Sequence, residues 1–357
     1  MPVSMGVNMT TAHLYKGYKA GERTTHPTVS FELFPPRSSS KLSSIWAGVD
    51  RLIAAAPDYV SVTYGASGAK VDTRDTSVRV LTRVLDRHPG LPAVAHLTCV
   101  GATRGQLAMT IRLLLRAGIR DFLALRGDPP AGQTEFKVVP GGLASAAELV
   151  ALIREIAADT LPDGVGTGPN GAGAASAANP KNYVSIAVAA YPAASGQYRR
   201  NDIAALLEKE LAGADYAITQ VFYNPDEYAS LVRELTIAGG RLPIVPGIIP
   251  LTDLKRLNAL EKIAGVAVPE EISKTLQIAD ARERVAKSLN ATLALIDGVL
   301  AAGAPGVHLY TFNRPRPALD VVEYVRASGY RNGRMPKRGG IDTELVDLAL
   351  HRLTPSN

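Results

Sequence analysis

The stretch "TVSFELFPPR", residues 28–37, combines an apolar run with one acid, Glu32, and stops at two prolines. Val, Phe and Leu favour a β-strand, and Pro35 and Pro36 end it because proline has no backbone N–H for a strand ladder. An unpaired carboxylate is costly to bury, so Glu32 needs either a cationic partner or a chemical task. The stretch therefore predicts a buried strand whose C-terminal end carries an acid.

Further strand-like runs follow along the chain, and segments of helical period separate them. The runs are nearly continuous in apolar residues, which is typical of parallel strands covered on both sides. Eight β/α units over roughly 300 residues predict an α/β fold, a single-domain (β/α)8 TIM barrel. A doubly wound open sheet is the alternative, but no G-x-G-x-x-G sequence follows any run. The eight runs are 28–34, 59–64, 93–99, 121–126, 183–191, 216–223, 243–248 and 306–312.

Three regions fall outside this alternation. Residues 1–27 are polar and are expected to form a flexible N-terminal extension. Residues 159–182 are a low-complexity insertion rich in Gly, Ala and Asn, and their helix-to-strand position predicts that they lie on the barrel face away from the chemistry. Residues 329–357 are basic and include a short helical pattern, so we expect a tail that caps the barrel or packs on a neighbouring subunit. The catalytic barrel is then expected to span residues 28–328.

Composition excludes several classes of function. Hydrophobic residues make up 46% of the 357 residues, which is typical of a globular protein with ample core. The single cysteine, Cys99, cannot form an internal disulfide, and the chain has neither a signal-peptide pattern nor a long apolar run; we therefore expect a cytoplasmic protein. The net charge of +6 favours an anionic ligand. Scattered basic residues and an aromatic content of 6% disfavour nucleic acid.

Polar residues at the strand ends are the candidate site, because the functional residues of such barrels lie there. Glu32 is interpreted as a functional acid or as half of a buried ion pair, and the acid is favoured because the other strand ends supply mostly hydrogen-bonding groups. His96 is alternatively a core histidine, and Arg126 with Asp128 a turn-stabilising pair. Gln220 lies between apolar neighbours, where an amide generally has a specific partner. No spacing indicates a metal site or a nucleophile elbow.

Eight sequence blocks in order, one at each strand end, resemble the methylenetetrahydrofolate reductase family. The resemblance implies a (β/α)8 barrel that reduces 5,10-methylenetetrahydrofolate to 5-methyltetrahydrofolate with NADH or NADPH, normally through bound FAD. This reaction belongs to one-carbon metabolism and supplies a methyl group for methionine biosynthesis. Family members are homo-oligomers, with no nucleic-acid or membrane partner. The blocks are "FELFPPR", "VSVTYGASG", "AHLTCVGATRGQL", "LALRGDPP", "VAAYP", "GADYAITQVFY", "PIVPGIIP" and "GVHLYTFNR".

The resemblance implies catalytic and substrate-binding roles for four residues. Glu32 matches a catalytic glutamate, the general acid that protonates N10 and opens the ring to the 5-iminium cation. Asp128 matches an aspartate that faces pterin and flavin, and Gln220 matches a glutamine that hydrogen-bonds the pterin. Arg314 matches an arginine that contacts the glutamate portion of the substrate. A polyglutamylated folate also suits the positive net charge.

The flavin side of the resemblance is less complete. After the fifth strand the chain reads "YPAASGQYRR", without the Glu and His that the family usually has there. Ala205 and Glu208 stand where well-known bacterial members have Asn and Arg, and an acid near a pyrophosphate is unfavourable. Bound FAD and direct hydride transfer from NAD(P)H both stay open. The positions that match FAD contacts of the family are Thr63, His96, Arg126, Gly127, Asp128, Ala146, Tyr191, Asp202 and Lys209.

Two other functions are alternatives. Another flavin-dependent barrel oxidoreductase, similar to proline dehydrogenase, would not require Glu32, Gln220 and Arg314 together. A non-catalytic folate-binding relative would have little need for an acid poised to donate a proton. The choice between NADH and NADPH is left open, because no selector for a ribose 2′-phosphate is recognisable.

Overall fold

Parallel strands alternate with helices in the computed structural model, which describes residues 10–18, 26–36, 41–63, 72–129, 135–161 and 184–327. The strands are β1 Thr28–Leu33, β2 Tyr59–Val62, β3 Ala93–Thr98, β4 Asp121–Leu125, β5 Ser185–Ala190, β6 Tyr216–Thr219, β7 Ile244–Val245, β8 Gly247–Ile248 and β9 Gly306–Tyr310. They form one sheet in the order β7-β6-β5-β4-β3-β2-β1-β9-β8, and every neighbouring pair is parallel.

The sheet closes on itself because β7 and β8 are two halves of one extended segment. Pro246 separates them, since it has no N–H to donate to the ladder. β7 pairs with β6 and β8 pairs with β9, while the Pro246 carbonyl accepts a hydrogen bond from the His308 N–H at 2.9 Å. The nine assigned strands thus amount to eight, and the prediction of a (β/α)8 barrel is confirmed.

Helices between the strands cover the outside of the barrel. Their apolar faces pack on the outward residues of the strands, for example Val49 and Leu52 in the same buried cluster as Phe31 and Leu33. A second cluster, which includes Tyr59, fills the inside. The helices are α1 Thr11–Leu14, α2 Leu42–Ala54, α3 Asp72–Arg87, α4 Arg104–Arg116, α5 Ala146–Thr160, α6 Gly196–Leu211, α7 Pro225–Ile237, α8 Leu254–Ala264, α9 Glu270–Leu276, α10 Ala281–Ala301 and α11 Pro315–Ala327.

Residues 10–18 differ from the flexible extension that the sequence predicts for this part of the chain. The backbone N–H and the hydroxyl of Thr11 both donate to the Asp121 carboxylate at 2.7 Å, and the Tyr15 hydroxyl donates to Tyr59 at 3.1 Å. Asp121 and Tyr59 begin their strands, so α1 packs against the N-terminal end of the barrel. These buried polar contacts stabilise a segment whose local sequence shows little pattern.

Other predicted regions lie largely outside the described residues. These are residues 1–9 and 19–25 of the N-terminal extension, residues 162–182 of the insertion and the tail 329–357. The first residues assigned to the insertion, 159 and 160, belong to α5. The division into an extension, a catalytic barrel and a tail stays a prediction.

We expect Thr11→Val to lower the free energy of unfolding by about 1–2 kcal/mol, because it leaves the buried Asp121 carboxylate short of one donor. Burial raises the pKa of Asp121 to about 7, so urea unfolding is measured near pH 8, where the carboxylate is ionised. Thr82→Val is the control, since this hydroxyl donates only to carbonyl groups of its own helix. A loss no larger than in the control would contradict the proposed anchoring of α1.

Candidate active site

Glu32 occupies the C-terminal part of β1, at the end of the barrel where sequence analysis places the site. In the parallel register it lies opposite Ser61 on β2 and Tyr310 on β9. Its neighbours Phe31 and Leu33 pack against the helices, and successive strand residues point to opposite faces, so the carboxyl points into the barrel. Only 8% of Glu32 is exposed.

The surroundings of Glu32 favour the protonated acid. Burial raises the pKa of its carboxyl to about 8. The His96 Nε2 atom lies 3.8 Å from the nearer carboxyl oxygen, which is too long for a hydrogen bond. Burial lowers the pKa of His96 to about 3, so this ring is neutral at physiological pH. Within the described ranges no Arg or Lys pairs with Glu32, and the structural ion-pair interpretation has no support.

His96 differs from the second histidine of the barrel interior, His308. The His308 ring is 2.8 Å from the Ser30 hydroxyl through Nδ1 and 3.3 Å from the Ser61 hydroxyl through Nε2, so both nitrogens have partners. The Nε2 atom of His96 is buried without a hydrogen-bond partner among the described residues. A buried polar atom without a partner calls for an explanation, and a ligand is one, whereas His308 is a core histidine.

The Tyr310 side chain, at the end of β9, reaches the end of β6. Its hydroxyl donates to the Thr219 carbonyl at 2.5 Å, and the Thr219 hydroxyl accepts the Gly247 N–H at 2.8 Å. A Cβ atom at Gly247 would lie 2.3 Å from the Thr219 carbonyl oxygen and 2.5 Å from the Tyr310 hydroxyl, so only glycine fits there. Burial, followed by the charge of Glu32, raises the pKa of Tyr310 well above its ordinary value. Tyr310 is therefore a neutral donor near the acid.

Gln220 directly follows β6. Its backbone N–H donates to the Ala190 carbonyl at 2.7 Å, and its side-chain Oε1 accepts the Val221 N–H at 2.9 Å. The specific partner that the sequence predicts for the Gln220 amide is thus the backbone N–H of the next residue, Val221. This bond fixes the side-chain oxygen and leaves the amide N–H2 group as the donor for a ligand.

Arg126, Gly127 and Asp128 form the turn after β4. Gly127 has φ of +89°, and a Cβ atom there would lie 2.6 Å from a methyl carbon of Val100. Both constraints require glycine. Arg126 and Asp128 are exposed on either side of it, and no ion pair joins them in the described part of the chain. The Arg126 guanidinium instead lies 5.3 Å from the ring centre of Phe136.

Lys209, Asp202 and Tyr191 occupy positions that match FAD contacts of the family in sequence. The Lys209 ammonium is buried and donates to the Ala189 carbonyl at 2.8 Å. Burial lowers the pKa of Lys209 to about 8; the charge of Asp202 opposes this shift and that of Arg126 adds to it. Tyr191, 42% exposed, has its pKa raised first by burial and also by the charge of Asp128. Asp202 and Arg126 thus affect the charge of Lys209, and Asp128 affects that of Tyr191.

Thr63 and Ala146 carry no reactive side chain in this site, and their backbone places them at the end of β2 and the start of α5. The Thr63 N–H donates to the Leu33 carbonyl at 3.1 Å, which ties the end of β2 to that of β1. Ala146 is buried at the first turn of α5, behind Ser145, whose side chain caps the helix by accepting the Glu148 N–H at 3.2 Å.

The loop after β9 holds Arg314. Phe312 and Asn313 have φ of +51° and +58°, an uncommon conformation for residues other than glycine. The Asn313 side chain binds Phe34 at the end of β1 through both backbone groups, at 2.9 Å to N and 2.6 Å to O. A Cβ atom at Gly48 would lie 2.4 Å from the Asn313 carbonyl oxygen. The backbone just before Arg314 is therefore fixed, while the Arg314 side chain is exposed.

The residues assigned to the flavin do not fit FAD in the part of the chain that the structure describes. The buried Lys209 ammonium uses one of its donors on a backbone carbonyl, and Glu208, on the same helix, is exposed. Among the assigned positions in the described ranges, Arg126 alone offers an exposed cation. A pyrophosphate needs several donors and cations, and these positions do not supply them.

The described residues contain neither a metal-ligand cluster nor a membrane-spanning helix. No group of three or more His, Cys, Asp and Glu side chains there is arranged to hold a metal ion. None of the helices in these ranges has the length and apolar character that a membrane crossing requires.

Sequence reasoning did not find three residues that shape the site. His308 lies inside an apolar strand and resembles any core residue there. Arg256 lies on α8, away from a strand end, and nothing in its local sequence marks it. The left-handed conformation of Phe312 has no sequence signal, because bulky residues rarely adopt it.

Comparisons with known proteins identify the family of the chain. The family model described as methylenetetrahydrofolate reductase matches residues 18–326. A methylenetetrahydrofolate reductase (NADH) of Zea mays is 30% identical over 306 residues, covering 82% of this chain and 47% of the relative. A 5,10-methylenetetrahydrofolate reductase of Salmonella typhimurium is 33% identical over 291 residues, covering 80% and 86%. The chain thus spans about half the length of the plant relatives.

One solved structure supports the fold alone. It is an uncharacterized protein from Clostridium thermocellum that binds two copies of 5-methyl-5,6,7,8-tetrahydrofolic acid. The TM-score is 0.54 at 15% identity, covering 84% of this chain and 96% of that protein.

We expect the stability gained by Glu32→Gln, relative to wild type, to grow by roughly 3 kcal/mol between about pH 5 and pH 8. In the folded protein the carboxyl keeps its proton up to about pH 8, whereas it ionises near pH 4.5 when unfolded. Wild type therefore loses stability as pH rises through this window, and the amide does not. Urea unfolding at several pH values measures the difference.

Glu271→Gln is the matched control for this pH dependence. Glu271 is an exposed acid on α9, and its replacement should change stability by no more than about 0.5 kcal/mol at any pH in the window. A stability difference for Glu32→Gln that stays constant from pH 5 to pH 8 would show that its carboxyl ionises normally.

Proposed function

The chain belongs to the methylenetetrahydrofolate reductase family, and we propose that it reduces 5,10-methylenetetrahydrofolate to 5-methyltetrahydrofolate with NADH or NADPH as the hydride donor. The observation that carries this proposal is the buried carboxyl of Glu32, whose pKa of about 8 keeps it protonated at neutral pH. A carboxyl group in this state is a general acid, which the reaction requires.

Ring opening needs one proton. In the substrate a methylene carbon bridges N5 and N10 of the folate. Glu32 donates its proton to N10, the bond from the methylene carbon to N10 breaks with its electrons on N10, and the N5 lone pair forms a double bond to the carbon. The 5-iminium cation results, and Glu32 becomes a carboxylate that later takes a proton from solvent.

Hydride transfer completes the reaction. The nicotinamide gives a hydride to the methylene carbon, the electrons of the double bond return to N5, and the carbon becomes the methyl group. NAD(P)H is oxidised to NAD(P)+, so one hydride and one proton are consumed for each substrate reduced. The plant relatives carry NADH in their names, which supports a nicotinamide donor.

Other residues of the site bind and orient the pterin in this proposal. The Gln220 oxygen is held by Val221, so its amide N–H2 group donates to the pterin ring. Asp128, exposed on the glycine turn, places a negative charge where the iminium cation develops, and such charges lower the barrier when they are fixed in advance. His96 stays neutral and therefore leaves the pKa of Glu32 high.

Direct transfer from the nicotinamide, without flavin, is the route we favour. Its support is the buried Lys209, which donates to a backbone carbonyl, and the exposed acid Glu208 next to it on α6. A direct route requires both substrates in the barrel mouth at once, whereas a flavin allows one to leave before the other arrives.

Glu32→Gln should lower kcat by at least about a hundredfold, because the amide cannot donate the proton, while folate affinity stays within about threefold of wild type. For wild type, kcat/KM should be constant below pH 8 and fall about tenfold per pH unit above it, because the acid loses its proton there. Anaerobic oxidation of NADH with methylenetetrahydrofolate measures both. Wild-type rates in Glu32→Gln, with Glu271→Gln as control, would refute the assigned role.

The flavin-free route predicts sequential kinetics. When both substrates are varied, double-reciprocal plots should intersect, because hydride passes only inside a ternary complex. The purified protein should lack a stoichiometric flavin absorption band, and added FAD should leave the rate unchanged. Parallel plots together with a flavin band would overturn the direct route and leave the overall reaction standing.

A further inference from the structure

Helix α4 carries two large apolar side chains on its outer surface. Met109 is 71% exposed and Leu113 is 51% exposed. They are four residues apart, so they lie one turn apart on the same face of the helix. Among the described residues they are the only two exposed large apolar side chains that adjoin in this way on one helix. A contiguous apolar surface is costly in water and marks a candidate contact with another protein.

Helix α5 lies beside α4 and presents a different surface. An ion pair between Arg104 and Glu155, at 2.5 Å, joins the two helices. The outer face of α5 carries small and acidic residues instead of large apolar ones, so it offers space where α4 protrudes. The exposed members are Ala151, Ala158, Glu148, Glu155 and Asp159.

The two helices carry opposite charges. The charged residues of α4 are all basic: Arg104, Arg112 and Arg116. The outward charges of α5 are all acidic, because its one base, Arg154, donates to the Asp215 carboxylate at 2.7 Å and to backbone carbonyl groups. A surface with a basic half and an acidic half is complementary to a second copy of itself turned about a two-fold axis.

Contacts within one chain fix this surface in advance. Thr103 caps α4 by accepting the Gln106 N–H at 3.3 Å, and the Gln106 side chain accepts the Thr103 N–H at 2.9 Å. Thr103 also pairs with Gly142, in the segment that leads into α5. Ser145 then caps α5 by accepting the Glu148 N–H at 3.2 Å. Little backbone order therefore has to be gained when a partner binds.

We propose that two copies of this chain associate through α4 and α5, with α4 of each copy packed on α5 of the other. A two-fold axis that runs between the two helices and parallel to them gives this arrangement. Met109 and Leu113 then pack on the small residues of the other copy, and the arginines of α4 face its acids. Each helix is about 20 Å long, so the interface is small and its Kd is expected to be on the order of 10 µM.

Sedimentation velocity over a concentration series tests this proposal. Wild type should change from monomer to dimer between about 1 µM and about 100 µM. Leu113→Glu places an acid against an acidic helix and should weaken association at least about tenfold, whereas Leu113→Lys suits that helix and should weaken it less. Leu211→Glu is the control, because it makes the same change on α6 at a side chain that is 89% exposed, and should leave Kd within about twofold.

Charge reversal tests the pairing of α4 with α5. Arg112→Glu combined with Arg116→Glu makes both contacting helices acidic and should raise Kd at least about a hundredfold. Adding Glu155→Arg and Asp159→Arg to the same chain restores opposite signs, and Kd should return to within about tenfold of wild type.

Four results would count against the interface. Wild type that stays monomeric at about 100 µM would overturn it. So would a dimer that Leu113→Glu leaves intact, or one that Leu211→Glu weakens to the same extent. Equal weakening by Leu113→Glu and Leu113→Lys, without recovery in the fully reversed chain, would overturn the pairing of α4 with α5. Urea unfolding checks that each variant is folded, and if Leu113→Glu is not, Met109→Glu decides by the same comparison.

Discussion

Burial of one carboxyl without a cation is the constraint on which this site depends. Glu32 has no ion-pair partner in the described part of the barrel, and the closest basic group, His96, is itself neutral because it is buried. Both shifts have the same cause, the removal of water, and both keep the barrel interior uncharged around the acid. The environment that keeps the proton on Glu32 also makes its ionised form costly, so the free energy of unfolding falls as pH rises and Glu32 ionises.

The two sides of the barrel mouth are built differently. On the side proposed for folate, Glu32 lies on β1, Gln220 follows β6 and Arg314 lies in the loop after β9, and hydrogen bonds hold the backbone around them. On the other side, the buried Lys209 donates to the Ala189 carbonyl. In the proposed function the first side binds a pterin with an anionic tail, and the described residues of the second offer few groups to a dinucleotide diphosphate.

The sequence predicts the strands well because their apolar runs indicate burial on both sides. It marks Glu32 as a candidate functional residue because an acid within such a run is unusual. It does not predict the packing of Thr11 on Asp121 or the stacking of Arg256 on Phe312. These contacts join residues that are far apart in the chain, and no local pattern encodes them. The break between β7 and β8 is partly predictable. Pro246 indicates where the ladder is interrupted, but only the pairing of β7 with β6 and of β8 with β9 shows that the strand continues.

The pairing of β1 with β9 has a consequence for how the protein is made. Ser30 and His308 are in contact although 278 residues separate them in the chain. During synthesis β1 emerges early and keeps one open edge until β9 leaves the ribosome, because β9 is the strand that covers it. An exposed strand edge invites pairing with other chains, so the interval before β9 arrives is when the nascent chain depends most on chaperones. The acid of the site acquires its buried surroundings only at that final step.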